Sequence, residues 1–161
     1  AAYFAGDCLW LSDRFEESLV WFRDANRRDP NLRSPYHSAF QALRMLGRAE
    51  LMSGRTDEAR EHLRESMAIF VEAGDLSGVA LHLTDFCFLA LLTDQQRRAC
   101  TLFGAKEMVR RISQTELVDM SINLVPGIDE ALASGGPQAS ADLEAGEAMS
   151  LEDAIALALA T

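Results

Sequence analysis

The side chains that could do chemistry in this sequence are scattered, and their spacing is as informative as their types. Three histidines occur, His37, His62 and His82, with His62 in a polar stretch and His82 in an apolar one. None belongs to an H-E-x-x-H pair, and neither a G-x-S-x-G elbow nor a G-x-x-x-x-G-K-[ST] phosphate loop is present. The cysteines, Cys8, Cys87 and Cys100, are odd in number and form no C-x-x-C pair, which argues against a disulfide framework or a zinc site. Each sits in an apolar helical context and reads as a small buried residue, as suits a reducing, cytoplasmic setting. The acidic pairs Glu16-Glu17 and Asp57-Glu58 open helical patterns, where the helix dipole accounts for them. Arg44 and Arg48 are four apart and share a helix face, so their guanidinium forks suit a carboxylate or phosphate. A solvated face beside Glu50 and Asp85 is the other reading. No catalytic, metal-binding or cofactor-binding residue is expected in this segment.

The elements that position these residues are helical. The 161 residues suit one domain and are 48% hydrophobic and 25% charged, near globular averages. No apolar run approaches the ~20 residues of a membrane helix, and no signal peptide is evident. The chain opens "AAYFAGDCLW", without Met and already in helical pattern. It therefore reads as a piece of a longer protein. All 15 basic residues lie in residues 1–111, whereas residues 112–161 hold 9 of the 25 acids and no Lys or Arg. That distribution disfavours direct contact with nucleic acid, which selects clustered Lys and Arg.

A fixed period organises the first two thirds. A shift of 41 carries Gly6 to Gly47, Ser18 to Ala59, Phe22 to Leu63 and Ala25 to Ser66; a further 40 carries these to Cys87, Ala99, Phe103 and Lys106. Small residues fall on small and large apolar on large until the last pair. Such self-similarity marks a solenoid of helix pairs. The units are 1–34, 35–74 and 75–111.

Each unit reads as two helices. Phe4, Cys8 and Leu11 share a face in the first, and Phe15, Leu19, Phe22 and Ala25 form the stripe of the second, with Asp13 as N-cap and Pro30 closing it. In the second unit, Phe40, Leu43, Leu46, Leu51 and Met52 precede the terminator Gly54. Thr56 is the expected cap of a helix striped by Ala59, Leu63, Met67 and Phe70 and ended by Gly74. The third unit starts with a helix apolar nearly all round, which predicts burial on both sides, and Thr93 or Asp94 caps its second. Gly6 and Gly47, mid-helix, admit a closely packed neighbour, with Ser18, Ala59 and Ala99 as the small counterparts. A mid-helix Gly costs about 1 kcal/mol against Ala, which close packing must offset.

Leu46-Gly47 followed by Ala59-x-x-x-Leu63, and Gly6 followed by Ser18-x-x-x-Phe22 and Pro30, resemble the tetratricopeptide repeat, although the period exceeds the usual 34 and leaves HEAT-like or armadillo-like hairpins as a lesser alternative. The resemblance implies an all-α, right-handed α-solenoid of about three such hairpins plus a C-terminal capping helix. It further implies that the first helix of each hairpin lines a concave face, where Asp7, Trp10, Gln41, Arg44, Arg48, Asp85 and Phe88 lie off the packing stripe. Two short stretches, "LFGAKE" and "GEAMSLEDA", resemble the C-terminal end of large actinobacterial LuxR-type and cyclase-linked ATP-binding regulators. That resemblance implies a non-catalytic interaction and signal-relay segment whose partner is a protein segment or another copy of itself. Any ATPase or cyclase chemistry lies in other parts of the parent. The alternative is a domain that senses a small-molecule effector in the concave groove. Because this piece lacks its upstream repeats, the helix at residues 1–12 should expose an apolar side, and such patches invite dimers.

Residues 112–161 form an acidic helical segment. "GGPQASAD" predicts a linker over 134–142. Over 150–160, Ser150 and Asp153 approximate a capping box, ahead of a helix striped by Leu151, Ile155 and Leu159. This helix is expected to cover the open end of the array.

Overall fold

The computed structural model describes residues 2–28, 38–113 and 125–160, and for residues 38–41 the backbone alone. Pro30 and His37, and the side chains of Phe40 and Gln41, lie outside the described residues. Among the described residues there are eight α-helices and no strand, so the all-α expectation holds. The helices are α1 (Ala2–Trp10), α2 (Phe15–Arg28), α3 (Ser38–Met52), α4 (Thr56–Glu72), α5 (Leu76–Leu92), α6 (Gln96–Ser113), α7 (Ile128–Glu147) and α8 (Leu151–Leu159). The chain divides into two compact units, Ala1–Asp75 with α1–α4 and Leu76–Thr161 with α5–α8. The boundary expected after Arg111 falls inside the second unit, where α6 is still helical.

The period is visible in the turns. Asp13, Gly54 and Asp94, separated by the same 41 and 40 residues, all take positive φ, at 57°, 73° and 56°. At each, the residue's N–H bonds the carbonyl three back, and the next N–H bonds the carbonyl five back: Asp13 to Trp10 and Arg14 to Leu9, Gly54 to Leu51 and Arg55 to Glu50, Asp94 to Leu91 and Gln95 to Ala90. This is the Schellman closure, which satisfies carbonyls left open at a helix C-terminus. It corrects three cap assignments. Asp13 and Asp94 end the preceding helix instead of starting the next one, since a short polar residue tolerates the left-handed region. Thr56 is the first residue of α4, whose N-cap is Arg55 without a side-chain bond. Gly74, at φ 67°, ends α4 by the same closure on Val71 and Phe70.

Each hairpin packs at the matched positions. A Cβ on Gly6 would lie 2.7 Å from the Phe22 ring, and one on Gly47 would lie 2.8 Å from Leu63 Cγ and 3.3 Å from Ala59 O. Phe22 and Leu63 are wholly buried. The third hairpin replaces the notch with a side chain: Cys87 Sγ donates to Ala99 O at 3.2 Å. Burial pushes the Cys87 thiol far above its ordinary range. The pattern weakens at Phe103, which is half-buried and carries Lys106 Nζ 4.6 Å over its ring. α5 is buried around most of its circumference, as its composition predicts.

The second unit then leaves the repeat. Gln96 Nε2 donates to Ala131 O at 2.6 Å, Thr101 faces Gly146, and Arg111 faces Glu147, so contacts advance together along α6 and α7 and the two run parallel. A Cβ on Gly104 would overlap the carbonyl of Leu143, and one on Gly146 would overlap that of Thr101. The two helices therefore cross backbone to backbone. Where the sequence predicts a linker, α7 is helical with one kink: Gly136 takes φ 55°, ψ −138°, which favours glycine, and Pro137 starts the following turns, where its missing N–H costs little. Arg97 fixes that second stretch with a bidentate pair to Asp142, at 3.1 and 3.0 Å, and Gln138 donates to the same carboxylate.

α8 begins at the expected cap: Asp153 N–H donates to Ser150 Oγ at 3.0 Å, and Ser150 Oγ donates to the Asp153 carboxylate at 2.7 Å. It lies on α5 and α6. Its buried residues are Ala154 and Ala158, while Leu151, Ile155 and Leu159 flank them half-buried. Arg98 Nη2 closes its other end, donating to the carbonyls of Leu157 and Ala160.

Candidate functional site

In the first unit, α1 and α3 bring four of the expected residues together. Trp10 is 6% exposed, packs edge-on against Phe15 with ring centres 4.9 Å apart, and supports Arg48, whose guanidinium carbon lies 5.6 Å from the indole centre. Asp7 is half-buried and accepts a hydrogen bond from Tyr3 one turn earlier. Burial raises the Asp7 pKa, partly offset by that bond, while burial and the Asp7 charge push Tyr3 far up; the charge of Arg44 acts in the opposite sense on Tyr3. Arg44 and Arg48 are enclosed, at 4% and 2% exposure. The open guanidinium fork that their spacing suggests is not presented to solvent, because both side chains are buried, Arg48 against the Trp10 ring. Asp85 and Phe88 are buried on α5, in the other unit. Gln41's side chain lies outside the described residues.

A different face of the first unit is open. Phe4 and Leu11 are 72% and 67% exposed, and Cys8 between them is exposed too, contrary to the buried reading of all three cysteines; Cys87 and Cys100 are buried. Shifted by 41, these positions become Met45, Ala49 and Met52. Met45 and Ala49 are buried, and α3 packs against α1 and α2 as well as α4. The same stripe is thus covered in one hairpin and bare in the other.

Residues 1–70 match the family model of the tetratricopeptide repeat. These are the residues that carry the glycine notches and the first two Schellman turns. No curated protein and no solved structure shows significant similarity to the chain. Tetratricopeptide repeats generally mediate contacts between proteins.

The matched residues also hold a cluster that their sequence does not announce. Glu50, on α3, is wholly buried; His62 Nδ1, on α4, is 2.7 Å from its Oε2, and Arg23 Nη2, on α2, is 3.4 Å from its Oε1. Hydrogen bonding to Glu50 raises the His62 pKa against the opposing effect of burial, with the charges of Glu50 and Glu65 adding and that of Arg23 subtracting. The residues come from three helices and are separated by 27 and 12 positions, so periodicity gives no hint of their meeting. Beside them is a cleft of about 410 Å³ lined by Val20, Arg23, Asn26, Arg27, Leu46 and His62. Among the described residues no group of three His, Cys, Asp or Glu is placed to hold a metal ion, and no helix is long and apolar enough to cross a membrane.

Proposed function

We propose that this segment is a non-catalytic protein-interaction module that recruits its partner through the bare face of α1. The observation that carries this reading is the contrast between Phe4, Cys8 and Leu11, exposed on α1, and their period mates Met45 and Ala49, buried on α3. The repeat itself shows what chemistry fits such a face: the apolar sides of other helices. α1 carries one charge, Asp7, in nine residues, so it is built for burial. For the 161 residues alone the occupant of that face is a second copy; in a longer parent it is the helix of an upstream repeat. Twofold pairing is the commonest arrangement of soluble homo-oligomers, and an axis beside α1 sets the two copies of Cys8 against each other.

Light scattering across a concentration series tests this. Self-association is expected, together with oxidative cross-linking through Cys8 and its loss in Leu11→Glu. A strictly monomeric protein, or association undisturbed by Leu11→Glu, overturns the reading. The finer assignment, to the signal-relay part of an ATP-dependent transcriptional regulator, is supported by the "LFGAKE" and "GEAMSLEDA" stretches alone. The full-length gene product tests it: a phosphate loop or a DNA-binding helix-turn-helix elsewhere in the polypeptide is the expected result.

A further inference from the structure

We infer that the cleft between α2, α3 and α4 is a binding site for a small phosphate monoester with a compact apolar body. This site is separate from the α1 face and does not rest on it. Three cationic or donor side chains, Arg23, Arg27 and His62, line one cleft with the Asn26 amide, and Val20 and Leu46 supply an apolar wall. The cleft, about 410 Å³, is largely open to solvent and has room for a small ligand.

The spare donors of the cleft favour a ligand with several acceptor oxygens. Glu50 sits behind the cleft and engages His62 through Nδ1, which leaves the opposite ring nitrogen as the group available to the ligand. A buried carboxylate on Nδ1 orients the ring and favours the protonated form, so Nε2 carries a hydrogen to donate. Arg23 meets Glu50 with a single nitrogen at 3.4 Å, and its other nitrogens keep donor capacity. Arg27 is 77% exposed and has a long, 3.8 Å contact with Asp24, whose other oxygen serves Arg28 at 2.7 Å. The charged groups around His62 are therefore Arg23, Arg27 and Asp24 on α2, Glu50 on α3 and Glu65 on its own helix. A phosphate monoester offers three terminal oxygens and close to two charges near pH 7, matching two guanidinium forks and one imidazolium. A single carboxylate satisfies fewer of these donors.

The test uses the full 161-residue chain and phenyl phosphate as probe, followed through the His62 Cε1–Hε1 NMR signal at pH 6.5, with that signal assigned by its absence in His62→Gln. A saturable shift is expected, with inorganic phosphate weaker for want of the apolar contact and benzoate weaker for want of acceptor oxygens. Arg27→Gln, at an exposed position that leaves the Glu50 cluster intact, should weaken phenyl phosphate by about tenfold. Absence of saturation at millimolar probe, equal affinity in Arg27→Gln, or tighter binding of benzoate or neutral benzyl alcohol each overturns the assignment.

Discussion

The two compact units solve one packing problem in opposite ways. In the first, a glycine on one helix receives a side chain from the other, Phe22 into the notch at Gly6 and Leu63 into that at Gly47. In the second, α6 and α7 bring glycine against backbone in both directions, Gly104 on Leu143 and Gly146 on Thr101. A side chain can turn or shift by some tenths of an ångström, whereas a carbonyl in a helix moves only with the helix. The first arrangement tolerates drift in sequence, as the change from Gly to Cys87 in the third hairpin shows. The second does not, and it binds α7 to the unit without help from the repeat.

The largest effect is therefore expected from Gly104→Ala or Gly146→Ala. The added methyl must separate α6 from α7, at a cost of roughly 3 kcal/mol or more, the upper range for overpacking. Urea unfolding should show the loss, and Cys100, buried on α6, should become reactive toward a thiol reagent while Cys8 reacts at its original rate. Unchanged protection of Cys100 in both variants would remove the distinction between the units. Gly47→Ala should cost less, about 1 kcal/mol net, because the Leu63 clash is partly offset by the ~1 kcal/mol gain in helix propensity. A second change, Leu63→Val, should recover part of that loss by reopening the notch. Failure to recover any would mean that the contact with Ala59 O, at 3.3 Å, sets the limit instead.

These contrasts explain what could be read in advance. The hairpins were legible because small and large residues recur at one offset, and that offset survives in the contacts Gly6–Phe22 and Gly47–Leu63. The turns were half legible. Gly54 marks its left-handed position, but Asp13 and Asp94 occupy the same position under a residue type that equally suits an N-cap, and Thr56 beside Gly54 invites the same misreading. The linker expected at 134–142 was an error of composition: Gly136 and Pro137 make a kink, and the Ala, Gln, Ser and Asp that follow are held helical by Arg97 on another element. The residues expected on a concave face fall on α1, α3 and α5, but a helical wheel does not say that Arg44 and Arg48 are enclosed. The Glu50 cluster needs three helices in place before it exists. A polar stretch around His62 gave no sign of the buried carboxylate beneath it.

A smaller effect separates the turns from the helices. Asp94→Gly should stabilise the third hairpin by a few tenths of a kcal/mol, since glycine reaches φ 56° without the Cβ penalty. The gain should appear in the unfolding midpoint. Gly54→Ala, at the matching turn with open space around it, should lose about 1 kcal/mol from backbone strain alone. A gain at Asp94 together with a loss at Gly54 would show that the 40-residue period extends to energetics as well as geometry.

The smallest expected effect distinguishes the first unit from the second by pH. His62 has a pKa raised by its bond to Glu50, so the folded state binds that proton more tightly than the unfolded chain does. Its contribution is fully present below the unfolded value of about 6.5 and is lost as pH rises through the higher folded value. In the second unit Asp142 is held below its ordinary range, first by Arg97, so its contribution is present above the unfolded carboxylate value and is lost as pH falls through the lower folded one. The two windows lie on opposite sides of mild acidity. Since His62 is about a third exposed, solvent screens its pair with Glu50 and the change in melting temperature between pH 6 and pH 8.5 should be slight. His62→Gln should flatten the decline on the alkaline side and leave the acid side as it was; Arg97→Gln should do the reverse. A decline above pH 6.5 that persists in His62→Gln would place its source outside the Glu50 cluster, and with it would go the view that this buried carboxylate keeps the imidazole charged in the cleft.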